Sequence, residues 1–80
     1  MAMREFVRRQ RRQTALLAAI QAAPCGRWKT GRARGALRKA GWPVSASTTS
    51  ADLQILVAAG HLARHEEPGV VWYEPLGGDR

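Results

Sequence analysis

Eighty residues with a net charge of +7 and a pI near 11.4 make one domain at most, with a core too small to hold a buried catalytic pocket as well. An apolar share of 45% excludes a disordered chain, and the basic excess calls for a polyanionic partner: DNA, RNA or an anionic membrane. The single cysteine, Cys25, excludes an internal disulfide and suits a reducing cytosol, and the longest apolar run, Ala15–Ile20, is too short for a signal core or a spanning helix.

Residues 1–12 are a basic lead with five arginines, Arg4, Arg8, Arg9, Arg11 and Arg12, which reads either as an arm or as an extension of the first helix. Thr14–Ala23 contains no Gly or Pro and predicts a helix, with Leu16, Ile20 and Ala23 in one apolar stripe. Pro24 and Gly26 end it, and Trp28 is the expected core anchor of the link that follows. Thr30 is placed to cap a second helix over about Gly31–Ala40, whose inner stripe is Ala33, Ala36, Leu37 and Ala40. Arg32, Arg34, Arg38 and Lys39 fall off that stripe.

Gly41 stands at the position of a helix-ending glycine, and Pro43 forbids continuation. Ser45 is the expected N-cap of a third helix over about Ala46–Ala59, buried through Thr49, Leu53, Leu56 and Val57 and stopped by Gly60. The remainder predicts a hairpin: a strand at 61–65, a turn at Glu66-Glu67-Pro68-Gly69, and a β-branched and aromatic strand from Val70 to Glu74 that Pro75 ends. The fold class is therefore α+β and mostly α, with the domain over 13–75 and a frayed tail at 76–80.

The charge is divided unevenly along the chain. Residues 1–39 hold eleven of the thirteen Arg and Lys residues against a single acid, Glu5, a net +10. Residues 40–80 hold Arg64 and Arg80 against five acids, a net −3. The anion-binding surface is expected on the first half.

Helix, short Gly-containing turn, Ser-capped helix and hairpin is the order of a winged helix-turn-helix. Residues 35–62, GALRKAGWPVSASTTSADLQILVAAGHL, resemble the centre of that family in the turn Gly41-Trp42-Pro43-Val44-Ser45, the Ser/Thr-rich start of the third helix, Asp52-Leu53 within it, and Gly60-His61-Leu62 opening the hairpin. With the flanking elements the resemblance covers roughly residues 12–75. The stretch Val44–Leu53 is similar to the DNA-binding domain of bacterial arginine repressors, whose third helix carries a Ser-Arg-Asp-Leu signature. Here Ser50-Ala51-Asp52-Leu53 lacks that arginine, and an arginine-binding domain is not expected. The resemblance implies a three-helix fold with a two-stranded β-hairpin wing and a third helix in the DNA major groove.

On that reading the outward positions of the third helix are Ala46, Ser47, Ser50, Ala51 and Gln54. Ser47 and Ser50 can bond phosphates or bases, and Gln54 can pair with adenine. No Arg or Lys lies on this helix, so phosphate contacts must come from elsewhere. Arg32 and Arg34 start the second helix, which crosses the backbone in this motif, with Arg27 and Lys29 just before it. Arg8, Arg9, Arg11 and Arg12 are expected to track the backbone or enter the minor groove. Arg64 and His65 can reach a phosphate from the base of the wing, whereas Glu66 and Glu67 make its tip acidic.

The same residues have plainer readings. The basic lead reads also as a solubilising tail, the Ser/Thr cluster at 45–50 as capping chemistry, and Trp28, Trp42 and Trp72 as core or hinge anchors rather than base-stacking surfaces. Cys25, His61 and His65 fit no standard zinc spacing, so neither a metal nor a cofactor is expected. No Ser-His-Asp or paired-carboxylate arrangement stands out, so an enzyme is not expected. The function expected is a double-stranded DNA-binding transcriptional regulator, a repressor or activator on the nucleoid in the cytoplasm. Dimerisation on a palindrome would supply the specificity that one Arg-poor helix lacks. A membrane or small-molecule effector is not expected, and RNA is disfavoured because the aromatics form no stacking platform. The alternatives are a winged helix used for protein contact and a DNA-binding accessory factor in recombination or in plasmid or phage replication.

Overall fold

The computed structural model describes residues 2–76. Three helices, α1 (Ala2–Ala22), α2 (Thr30–Lys39) and α3 (Ala46–Ala58), precede an antiparallel hairpin of β1 (Leu62–Glu67) and β2 (Val70–Pro75). The expected tail lies, from residue 77 on, outside the described residues.

Of the two readings of the basic lead, the structure adopts the helical one: about three turns of α1 precede the expected start at Thr14. The local reasons are visible in the residues. Arg, Gln and Glu are good helix formers, Glu5 sits in the first turn where the helix dipole favours an acid, and it precedes Arg8 and Arg9 by three and four residues. At the other end α1 stops at Ala22, one residue early, and Ala23 is exposed. Its place in the apolar stripe is thus corrected. Leu16 and Ile20 are the buried residues of α1.

Thr30 is likewise not a cap but the first residue of α2, with Lys29 at the N-cap position and no side chain satisfying the helix N–H groups. Tertiary pairing explains the shift. Trp28 forms an isolated bridge to β2, its N–H donating to the Tyr73 carbonyl (3.1 Å) and its carbonyl accepting from the Tyr73 N–H (2.8 Å). That bridge draws the chain into an extended conformation up to Lys29 (φ −92°, ψ 166°), and the helix launches from there.

Helix α2 ends as expected. Gly41 takes φ +91°, its N–H donates to the Arg38 carbonyl (3.0 Å), and the Trp42 N–H donates to the Leu37 carbonyl (2.8 Å). This is a Schellman motif, and only glycine enters that left-handed conformation without strain. The same pair of bonds recurs at the end of α3, from Gly60 to Val57 and from His61 to Leu56. Ala40, expected on the inner stripe of α2, is the exposed C-cap. Helix α3 starts where the sequence places it, with Ser45 accepting from the Thr48 N–H (3.1 Å).

The hairpin is tighter than expected. Glu66 and Glu67 are strand residues opposite Val71 and Val70, and Pro68-Gly69 alone makes the turn. Proline pre-sets the first turn position and Gly69 (φ +80°) supplies the left-handed second, so no further residue is needed. Every element feeds one core of Leu16, Ile20, Trp28, Ala33, Leu37, Leu53, Leu56, Leu62 and Tyr73. Trp42, Val44, Val57 and Val71 pack at its edge.

Candidate nucleic-acid interface

Helix α3 presents a neutral outer face. Ala46, Ser47, Ala51 and Gln54 are exposed, and Ser50 is half-buried with Gln54 Nε2 at 3.5 Å from its hydroxyl. The start of this helix is held twice. The Thr49 hydroxyl donates to the Ser45 carbonyl (2.9 Å), and Arg34 Nε donates to the Val44 carbonyl (3.0 Å). Arg34 therefore pins the turn between α2 and α3 as well as carrying charge.

Arg32 has a comparable structural task. Its guanidinium donates to the carbonyls of Cys25 (2.9 Å) and Ala23 (3.0 Å) and lies 3.9 Å from the centre of the Trp28 ring. The Trp28 indole N–H also donates to Ala23 (3.0 Å). These contacts clasp the loop between α1 and α2. Carbonyl partners leave a guanidinium its full charge, so Arg32 and Arg34 remain sources of positive field.

Arg12, expected with Arg8, Arg9 and Arg11 to meet phosphates, is already engaged within the fold. Its Nε and Nη2 form a two-pronged pair with the Asp52 carboxylate, with Nη2 at 2.9 Å from Oδ1 and Gln13 Nε2 adding a third bond at 3.1 Å. The Asp52 side chain is 1% exposed and that of Arg12 16%. The hydrogen-bonded carboxylate pushes the Arg12 guanidinium above its ordinary pKa. Asp52 is the residue that sequence reasoning missed. Three residues after Thr49 and four before Leu56, it stands on the inward stripe of α3, where a lone acid demands a cation.

Each acid of the hairpin meets a basic or imidazole side chain. Arg64 pairs with Glu66 (3.0 Å), Arg27 with Glu67 (3.4 Å), and His65 lies 2.9 Å from Glu74. The bond to Glu66 raises the pKa of Arg64 above its ordinary value. Trp72, expected in the core or at a hinge, is half-buried, with His65 stacked on it (4.1 Å between centroids, 15° between planes) and Arg27 at 4.6 Å from its centre.

With Asp52, Glu66, Glu67 and Glu74 engaged, the unpaired positive charge is confined to the other elements. Among the described residues, Arg4, Arg8, Arg9 and Arg11 on α1, Lys29 before α2, and Arg38 and Lys39 at its end have no acidic partner. Such an arrangement can bind a polyanion across α1 and α2 while α3 contributes hydroxyl, amide and methyl groups. Among the described residues no cluster of three or more His, Cys, Asp or Glu could hold a metal ion, and no helix is long and apolar enough to cross a membrane. No protein-family model, no characterised protein and no solved structure matches the chain.

Proposed function

We propose that this chain is a winged helix-turn-helix module that binds double-stranded DNA and acts in transcriptional control. The observation that carries the reading is the separation of charge. The acids of α3 and the hairpin each have a basic or imidazole partner within the fold, while cations of α1 and α2 have no acidic partner among the described residues and the outer face of α3 is neutral. A helix whose outer face carries no charge repels neither strand of a groove. Ser47, Ala51 and Gln54 then read base edges, and phosphate contacts by arginine supply most of the affinity. A single copy discriminates weakly, and two copies on a palindrome supply the rest.

Binding of labelled duplex at several salt concentrations tests the proposal. With about six phosphate contacts, affinity falls roughly a thousandfold between 50 and 200 mM salt. Selection from random duplexes returns a consensus, palindromic if the protein dimerises. Absence of binding at low salt refutes DNA binding, and equal binding to all sequences refutes the regulatory role.

The self-paired hairpin favours one second reading, a winged helix whose partner is another protein. Co-purification of a stoichiometric protein partner together with failure to bind duplex would select it.

A further inference from the structure

The core-facing stripe of α1 does not end at the top of the core. Running toward the N-terminus from Ile20 and Leu16 it continues through Arg12, Arg9, Arg8 and Glu5, the spacing of one helix face. These residues overhang the turn between α2 and α3 and enclose with it a cleft of about 480 Å³, whose other wall is Gly41–Val44 and Thr48. A stripe that is apolar below and cationic above is built to cover the core with one end and to face an anion with the other.

We infer that this cleft is a phosphodiester-binding site that seats the sugar-phosphate backbone of duplex DNA, an inference resting on the DNA reading above. Arg8 and Arg9 line it and have no acidic partner among the described residues. Arg12 lines it too. Its Nε and Nη2 are used by Asp52, which leaves Nη1 without a hydrogen-bond partner among the described residues. On the opposite wall, Thr48 is in the first turn of α3, where the helix dipole favours an anion, although its own N–H is donated to the Ser45 hydroxyl. Half-buried Trp42 supplies a flat apolar surface for a deoxyribose. Glu5, at the outer end of the cleft, opposes an anion. It lowers affinity, and three arginines against one glutamate still leave the cleft net cationic.

The site places the backbone against α1 rather than against the acid-bearing hairpin. Each phosphate contact scales affinity as salt concentration to the power of about −0.9, five- to sixfold at 0.15 M, so losing two costs about thirtyfold.

The experiment compares two charge-matched double variants of the full chain, R8Q/R9Q in the cleft and R4Q/R11Q on the same exposed turns outside it. Duplex titrations are followed by affinity, by salt slope and by the NMR resonance of the Trp42 indole N–H. The expected result is a roughly thirtyfold loss and a salt slope smaller by about 2 for R8Q/R9Q, several times the loss in R4Q/R11Q. Duplex is expected to shift the Trp42 resonance in wild type and in R4Q/R11Q but not in R8Q/R9Q, and E5Q is expected to bind more tightly than wild type. Equal losses in the two double variants, or a Trp42 resonance indifferent to duplex, overturn the inference and leave the DNA reading intact. A wild-type protein that binds no duplex overturns the DNA reading. The cleft is then judged with inorganic phosphate, which supports it if Trp42 shifts in wild type but not in R8Q/R9Q and overturns it otherwise.

Discussion

Removing Arg12 is expected to destabilise the domain more than any exposed arginine could. Arg12→Met keeps most of the aliphatic stem and deletes the guanidinium, leaving the Asp52 carboxylate, 1% exposed, with Gln13 as its remaining side-chain donor. Breaking a buried pair by removing one partner costs about 3–5 kcal/mol, because the survivor keeps its desolvation penalty and loses its compensation. Arg12 itself is 16% exposed, so water reaches the site when it is gone, which places the expected cost near the lower end, about 3 kcal/mol. A domain of 80 residues has a total stability of about 4–12 kcal/mol, so the loss is a large fraction of it. Urea unfolding followed by circular dichroism measures it, and a double-mutant cycle with Asp52→Asn isolates the pair. R12M/D52N should be more stable than R12M alone, since an amide in that site needs no counter-charge. A cost below about 1 kcal/mol for R12M, the value of a solvent-screened surface pair, would refute the argument that Asp52 is a buried charge held by Arg12.

Other expectations follow from the caps and from α1. Lys29 stands unassisted at the N-cap of α2, so Lys29→Ser should stabilise the fold by about 0.5–2 kcal/mol, read as a thermal midpoint raised by roughly 4–8 °C per kcal/mol. The same variant should bind duplex less tightly if Lys29 touches a phosphate. Gly41→Ala meets no atom within 4 Å of the new Cβ, so its cost is that of the left-handed backbone alone, about 1–2 kcal/mol by urea unfolding. Residues 4–11 of α1 are all exposed, and Arg4 and Arg8, four residues apart, repel each other. Their amides should therefore exchange with solvent faster than those of residues 16–20 and slow when duplex is added.

Much of this architecture is written locally. A Gly at the end of each of α2 and α3, a Ser ahead of α3, and Pro68-Gly69 between two strands act through backbone conformation or bonds only a few residues apart. The apolar spacing of Leu16 with Ile20, and of Thr49, Leu53 and Leu56, reports the inward faces directly. What was not legible depends on partners distant in sequence. Thr30 is a chemically good cap, but the bridge between Trp28 and Tyr73 decides where the chain turns into α2. Ala23 and Ala40 fit their stripes by spacing, yet each lies where its helix stops and the core does not extend.

The candidate site divides along the same line. Composition and order alone establish a basic first half, an α3 without Arg or Lys, and an acidic hairpin tip. Which arginines are available is a tertiary outcome, because arginines look alike in sequence and differ in what they meet. Arg12 finds Asp52 forty residues away, Arg34 the Val44 carbonyl, Arg32 the loop after α1, and Arg27 and Arg64 the acids of the hairpin. Local chemistry therefore determined the elements and the sign of the surface, since both depend on residue type and short spacing. Only the packing of α1 over the α2–α3 turn decided where unpaired charge gathers, since that depends on which side chains long-range contacts have already used.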